Sequence, residues 1–205
     1  MARSYDVVIV GSGPAGIFTA LELTQCSNLS ILLLEKGKDL NKRYCPGVHN
    51  YTGCLSCSPC AMVSGWGGAG AFSDGKLTLS PEVGGHLSDY GGSQKAIELI
   101  NYADQRYREF GASADIYGAG DETETLKRKA EAAGMNLIPV PVRHLGTEHC
   151  YEVLQHMYEF LSDRVEIHTG VEVDSIVTED GKVNGIKTHD GQNIQARYLI
   201  VAPGR

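Results

Sequence analysis

Three stretches of this 205-residue chain combine residue types and spacings that can do chemistry. The first is Gly11-Ser12-Gly13-Pro14-Ala15-Gly16, with the G-x-G-x-x-G spacing of a loop that cradles a diphosphate. Gly11 permits a tight turn, Gly13 lets backbone approach a pyrophosphate, and Gly16 lets a helix pack closely on a strand. The N-terminus of the following helix adds free N–H groups and about half a positive charge. Glu35 lies 19 residues after Gly16, where a carboxylate accepts hydrogen bonds from the ribose of an adenosine and repels a 2′-phosphate, which disfavours NADP. The second stretch is Cys54-x-x-Cys57-x-x-Cys60, with Cys45 upstream. Three thiols at this spacing can converge on one point and a fourth completes tetrahedral ligation, which fits zinc or an iron–sulfur cluster. The Cys57–Cys60 pair also reads as a redox dithiol, and all four as small packed side chains; the three readings stay open. The third stretch is Gly65 to Leu77, where Gly67 and Gly68 leave room for a planar ligand or simply form a turn.

The elements that must hold these residues follow from periodicity. Tyr5 to Val10 reads as a buried strand, Pro14 to Gln25 as a helix with proline at its first position, and Ser30 to Glu35 as a second buried strand. Together they make a βαβ unit with parallel strands. Residues 36–92 carry little periodicity and read as a cofactor-covering loop. Helices are expected from Ser93 to Phe110, from a capping box at Asp121 and Glu124 to Gly134, and from Thr147 through Leu161. Leu137 to Val142 contains two prolines and makes an edge strand at most. Val165 to His168 is a short strand. Asp180-Gly181 and Asp190-Gly191 then join three alternating runs into an antiparallel meander, and Tyr198 to Ala202 is a buried parallel strand. Cys26 and Cys150 fall on apolar helix positions and read as core.

The run Val7 to Leu23 followed by Ile31-Leu-Leu-Leu-Glu35-Lys36 resembles the FAD-binding opening of the glutathione-reductase-like flavoproteins. Gly65-Trp66-Gly67-Gly68-Ala69-Gly70-Ala71-Phe72-Ser73-Asp74-Gly75-Lys76-Leu77 is similar to a segment of the bacterial FAD-dependent dehydrogenases, as are Arg143 to Thr147 and Ala202 to Arg205. The resemblance implies that Gly67, Gly68 and Ala69 lie beside the cofactor, that Val173 gives backbone contacts to the adenine, and that Ala202, Pro203 and Gly204 turn near it. It also implies that the chain corresponds to the N-terminal portion of a longer protein. Pro203 has no N–H to donate where that turn usually carries threonine.

The expected fold class is therefore α/β. A Rossmann-type FAD-binding parallel sheet with a three-stranded meander occupies residues 1–92 and 165–205, and part of an inserted helical substrate region occupies 93–164. The cofactor set is Gly11 to Gly16, Glu35, Lys36, Gly67, Gly68, Ala69, Val173, Ala202 and Gly204, for FAD. The metal set is Cys45, Cys54, Cys57 and Cys60. Lys76, a cation suited to stabilising a reduced anionic flavin, and His144, a general acid or base, are the catalytic candidates. Lys and Arg number 18 against 25 Asp and Glu, a net charge of −7 that argues against coating nucleic acid or an acidic membrane. Lacking a signal peptide or membrane span, the sequence reads as soluble and cytoplasmic. The expected function is flavin-mediated hydride or electron transfer between a small-molecule substrate and an electron donor or acceptor. An NAD-binding dehydrogenase, or a dinucleotide- or metal-binding fragment without catalysis, is the alternative.

Overall fold

The computed structural model describes residues 3–204. In chain order its elements are β1 (Arg3–Val10), α1 (Pro14–Cys26), β2 (Ile31–Glu35), α2 (Pro46–His49), β3 (Lys76–Thr78), α3 (Ser88–Glu109), α4 (Asp121–Ala132), β4 (Val142–His144), α5 (Gly146–Ser162), β5 (Glu166–Thr169), β6 (Val173–Glu179), β7 (Lys182–Thr188) and β8 (Asn193–Val201). They fall into two compact units: residues up to Phe72 together with Leu154 onward, and Ser73–Val153.

The first unit is built on a six-stranded sheet in the order β5-β2-β1-β8-β7-β6. The β5-β2, β2-β1 and β1-β8 pairs are parallel, and β8-β7 and β7-β6 are antiparallel. All five residues of β2 are buried, which is why its apolar run shows no alternation. Val8, Leu32, Leu34, Ile186, Ile194 and Ala196 form one core cluster that ties the parallel strands to the meander. Each Val, Leu or Ile among them contributes about 1.5–3 kcal/mol when fully buried. The α1 face at Ile17, Ala20 and Leu21 is buried, whereas Cys26 at the last position of that helix is exposed, so the expected core role for it is corrected. Cys150 is buried as expected.

The sheet corrects the meander in one respect. The third meander strand and the returning parallel strand are a single element: β8 pairs antiparallel with β7 through Asn193–Gln195 and parallel with β1 through Ile194–Val201. No turn residue separates Arg197 from Tyr198, so nothing interrupts the strand. The first meander turn behaves as its sequence demands. Asp180 and Gly181 both take positive φ, 49° and 74°, the two-residue hairpin geometry that Asp-Gly favours.

In the second unit β3 pairs antiparallel with β4. Helix α3 joins two helices across a kink at the non-helical Gly92, φ 81°, so its long stretch starts at Ser93 as expected and a short turn from Ser88 precedes it. Helix α4 is capped by Gly120 with no side-chain bond, so Asp121 is its first residue and makes no capping box. It buries no residue. Arg143 is 1% exposed and grips the Asp104 carboxylate with Nε and Nη2, the latter at 2.8 Å, while Nη1 donates to the Ser113 and Asp115 carbonyls. Among the described residues no helix is long and apolar enough to cross a membrane.

Candidate functional site: a glycine-lined crevice at the sheet edge

Parallel strands that end together leave a crevice beyond their carboxyl ends. Here that edge is closed by backbone: Gly11 N–H donates to Leu34 O at 2.7 Å, Ala202 N–H to Val10 O at 2.8 Å, and Val171 N–H to Glu35 O at 2.9 Å. The ends of β1, β2 and β8 and the start of β6 thus meet around one cavity of about 540 Å³. Its volume lies within the range of about 300–1,000 Å³ typical of small-molecule sites.

The glycine spacing acts here through steric contact. Gly11 sits at φ +104°, and a Cβ on it would lie 2.2 Å from Ala202 O. A Cβ on Gly16 would lie 1.9 Å from Gly11 O, so only hydrogen lets the first turn of α1 approach the loop. The Cβ direction of Gly13 meets nothing within 4 Å. Gly13 caps α1 with no side-chain bond, Pro14 holds the first turn, and that turn contains no acid. The helix therefore presents uncapped N–H groups with no competing carboxylate, the arrangement an anionic diphosphate requires.

The second glycine cluster reaches the same place although nearly fifty residues separate it from the first. Gly67 N–H donates to Ser12 O at 2.9 Å, and a Cβ on Gly68 would meet Gly13 Cα at 3.1 Å. Of the expected cofactor set, Gly11, Gly13, Pro14, Glu35, Lys36 and Gly68 line the cavity. So do Ala69, Val173, Ala202 and Gly204. Ser12, Ala15, Gly16 and Gly67 do not line it; Ala15 and Gly16 belong to the first turn of α1, and Ser12 and Gly67 to the two glycine loops. Val63, Ser64, Val171 and Pro203 also line it, and only Pro203 was singled out from the sequence. The cavity, the uncapped helix end and the open Gly13 fit the diphosphate of a dinucleotide.

Glu35 is 6% exposed and is held differently from a carboxylate waiting for sugar hydroxyls. Its Oε2 accepts from Ser12 N–H and Ser12 Oγ–H, each at 2.9 Å. Its Oε1 accepts from Gly37 N–H at 2.8 Å and Gly65 N–H at 2.9 Å. A carboxylate has about four acceptor positions, and the protein supplies a donor to each. Glu35 is thus a strut joining the first glycine loop, the end of β2 and the second glycine segment. Burial pushes its pKa up, but the hydrogen bonds from Ser12, Gly37 and Gly65 outweigh burial and hold the carboxyl below its ordinary value.

Arg43, not singled out in the sequence, completes this frame. It is 7% exposed; its Nε donates to Ala61 O, Nη1 to Trp66 O and Gly68 O, and Nη2 to Met62 O, at 2.7–3.0 Å. Its guanidinium also lies 4.6 Å from the Phe72 ring centroid. Burial lowers its pKa, opposed by the charges of Glu35 and Cys60. A lone arginine in an aperiodic loop carries no spacing signal. Trp66 is fully buried, donates Nε1–H to Leu154 O at 2.9 Å and stands edge-on to Tyr158, so it is core and not a cofactor lid.

The two catalytic candidates lie in the second unit, directly opposite each other: Lys76 pairs with His144 in the β3–β4 ladder. Lys76 Nζ lies 2.7 Å from Asp74 Oδ2, and the hydrogen bond from Lys76 holds the Asp74 carboxyl below its ordinary pKa. In the first unit Cys45, Cys54, Cys57 and Cys60 share the wall of a second cavity of about 360 Å³. Among the described residues no three His, Cys, Asp or Glu side chains come together as ligands of one metal ion.

Comparison with known proteins agrees with this geometry. Residues 6–51 match the FAD binding domain family. The chain is 31% identical over 200 residues to an uncharacterized protein of Clostridium beijerinckii (strain ATCC 51743 / NCIMB 8052), covering 96% of this chain and 30% of that protein. Its fold is similar to that of a 3-ketosteroid-delta4-(5alpha)-dehydrogenase from Rhodococcus jostii RHA1, with TM-score 0.58 and 18% identity over 98% of this chain and 46% of that one. It is also similar to glycine oxidase from Geobacillus kaustophilus, with TM-score 0.55 and 15% identity over 99% of this chain and 56% of that one. The matched segment is similar to the FAD binding domain, and the fold is similar to that of these two enzymes over nearly the whole of this chain. The chain spans about a third of the length of the curated relatives it matches.

Proposed function

We propose that this chain supplies the FAD-binding part of an oxidoreductase that passes hydride or electrons between a small-molecule substrate and an electron donor or acceptor. The observation that carries this reading is the uncapped α1 N-terminus opening, beside Gly13 and Gly68, into the cavity at the strand ends. Bound FAD would supply a redox centre that accepts and returns hydride or single electrons. The α1 N–H groups neutralise the diphosphate. Val173 and its neighbour Glu172 flank the cavity at the start of β6, on the side assigned to the adenine. Ala69 and Gly70 line it without bulky side chains. Lys76 and His144 are assigned as the groups that exchange protons with substrate or steady negative charge; their pairing across the ladder supports treating them as one site. A cytoplasmic setting, where thiols stay reduced, is part of the same reading. A second redox or metal group, iron–sulfur or zinc, would take its ligands from Cys45, Cys54, Cys57 and Cys60, which line one cavity.

The test is the gene product purified without added cofactor. FAD released by acid from a protein absorbing near 450 nm, a position expected for bound oxidised flavin, supports the reading. A protein that neither retains FAD nor takes it up, or that binds NAD in its place, overturns it.

A further inference from the structure

We propose that the cavity walled by Cys45, Cys54, Cys57 and Cys60 is a binding site for a small anionic disulfide, which forms a mixed disulfide with Cys54. The space is about 360 Å³, within the range of about 300–1,000 Å³ that holds small molecules. Tyr44, Pro46, Leu55, Pro59 and Ala61 give its wall apolar surface, and the four cysteines, all free, add polarisable sulfur. Lys38 is the one charged residue among the described residues that line it. Apolar surface with soft sulfur and a single cation matches a ligand that has an apolar body, a sulfur–sulfur bond and a carboxylate.

Cys54 is the thiol placed to react. Cys45 and Cys60 are half-buried, whereas Cys54 and Cys57 are exposed and open to a ligand entering from solvent. Cys54 also receives a hydrogen bond, from Ser56 N–H to its Sγ at 3.4 Å. A donor aimed at sulfur stabilises the negative charge of a thiolate, the nucleophile of disulfide exchange.

The exchange needs no reagent beyond the ligand. Cys54 gives its proton to solvent, and the thiolate Sγ attacks one sulfur of the ligand disulfide. A new S–S bond forms to that sulfur as the original S–S bond breaks, and the other half departs as a thiolate with the electron pair. Cys54 is oxidised and the departing half is reduced. Ser64 lines both this cavity and the dinucleotide cavity, and its N–H closes a turn on Cys60 O at 2.9 Å, so the retained half shares a wall with the flavin site. The inference goes beyond the FAD reading and does not rest on it.

The experiment treats the purified chain, reduced and then freed of reductant, with dithiobis(nitrobenzoate), an aromatic disulfide bearing two carboxylates, and in parallel with the uncharged dithiodipyridine. Each releases a coloured thiol, and mass spectrometry of the digested protein at short times assigns the first adduct. Cys26, exposed at the end of α1 and outside the cavity, is the internal reference. The expected result is labelling of Cys54 by the anionic probe at least about tenfold faster than that of Cys26, with the two rates converging in urea. Lys38→Gln should slow labelling of Cys54 by dithiobis(nitrobenzoate) about two- to fivefold, the range of one exposed ion pair, and leave its labelling by dithiodipyridine unchanged. Equal rates at Cys54 and Cys26 in the folded chain, faster labelling of Cys57 than of Cys54, or the same Lys38→Gln effect on both probes overturns the proposal. So does zinc or iron on the isolated chain that blocks Cys54 until a chelator removes it. FAD content is measured separately on the unlabelled chain, so failure of the flavin reading and failure of this one are told apart.

Discussion

Replacing Glu35 by glutamine removes one charge and almost no volume, and the structure sets the cost. The carboxylate accepts four hydrogen bonds, two on each oxygen. A glutamine amide can serve only one of these pairs with its oxygen and must aim its NH2 at the other. Facing Gly37 and Gly65, the NH2 would orphan two buried N–H groups. Facing Ser12 it orphans one, because the Ser12 hydroxyl can rotate to accept. The second arrangement is favoured, and one buried unpaired donor costs about 1–3 kcal/mol. The surviving bonds from Gly37 and Gly65 lose charge assistance, about 1 kcal/mol each. The sum is about 3–5 kcal/mol, against a total stability of about 5–15 kcal/mol for a domain. Urea unfolding at about pH 7 should show this difference between wild type and Glu35→Gln. The folded-state pKa of Glu35 is lowered, so its contribution is complete above the unfolded value of about 4.3 and is lost as pH falls through the folded value. The gap between the two proteins should therefore narrow in acid and never widen. A gap under about 1 kcal/mol near neutrality, or one that stays constant well below pH 4, refutes the four-bond strut.

Other outcomes follow from the same frame. Arg43→Ala leaves the Ala61, Met62, Trp66 and Gly68 carbonyls without their donor and Glu35 without its counter-charge; it should cost about 3–5 kcal/mol in denaturant unfolding. Arg43→Lys, which cannot span the same carbonyls, should recover less than half of that. Gly16→Ala puts a methyl 1.9 Å from Gly11 O and should lose about 1–3 kcal/mol, with weakened FAD binding. Arg143→Met leaves the partly buried Asp104 carboxylate without its partner and should destabilise the second unit by about 3–5 kcal/mol, measured as earlier proteolysis within Ser73–Val153. Trp66→Phe removes the indole bond to Leu154 O and should cost about 1–2 kcal/mol in thermal unfolding.

Much of this architecture was legible because short-range patterns control it. The β1–α1–β2 unit follows from a buried run, a glycine turn and a proline-led helix, and Asp180-Gly181 fixes its hairpin through positive φ alone. The second glycine cluster could be connected to the first only through resemblance, since the bond between Gly67 N–H and Ser12 O spans 55 residues of sequence. The partners of Glu35 were illegible for the same reason: two of its donors, Gly37 and Gly65, are backbone groups that no side-chain pattern announces. Arg43 was missed because its role is to satisfy carbonyls of an aperiodic loop. The cap of α4 escaped because the glycine at 120, not a capping side chain, decides it. Strand β8 was divided in two because a switch from antiparallel to parallel pairing leaves no residue signature.

The claim on which the account rests is that the bare N-terminus of α1 receives a diphosphate. Calorimetric titration of the purified chain with FAD, repeated on Gly13→Glu, addresses it directly. The account predicts saturable one-to-one binding by the wild type and a loss of at least about tenfold in the variant, whose carboxylate enters the open Cβ direction and occupies the helix end. Equal affinity in the two proteins, or no heat of binding from the wild type, would contradict it.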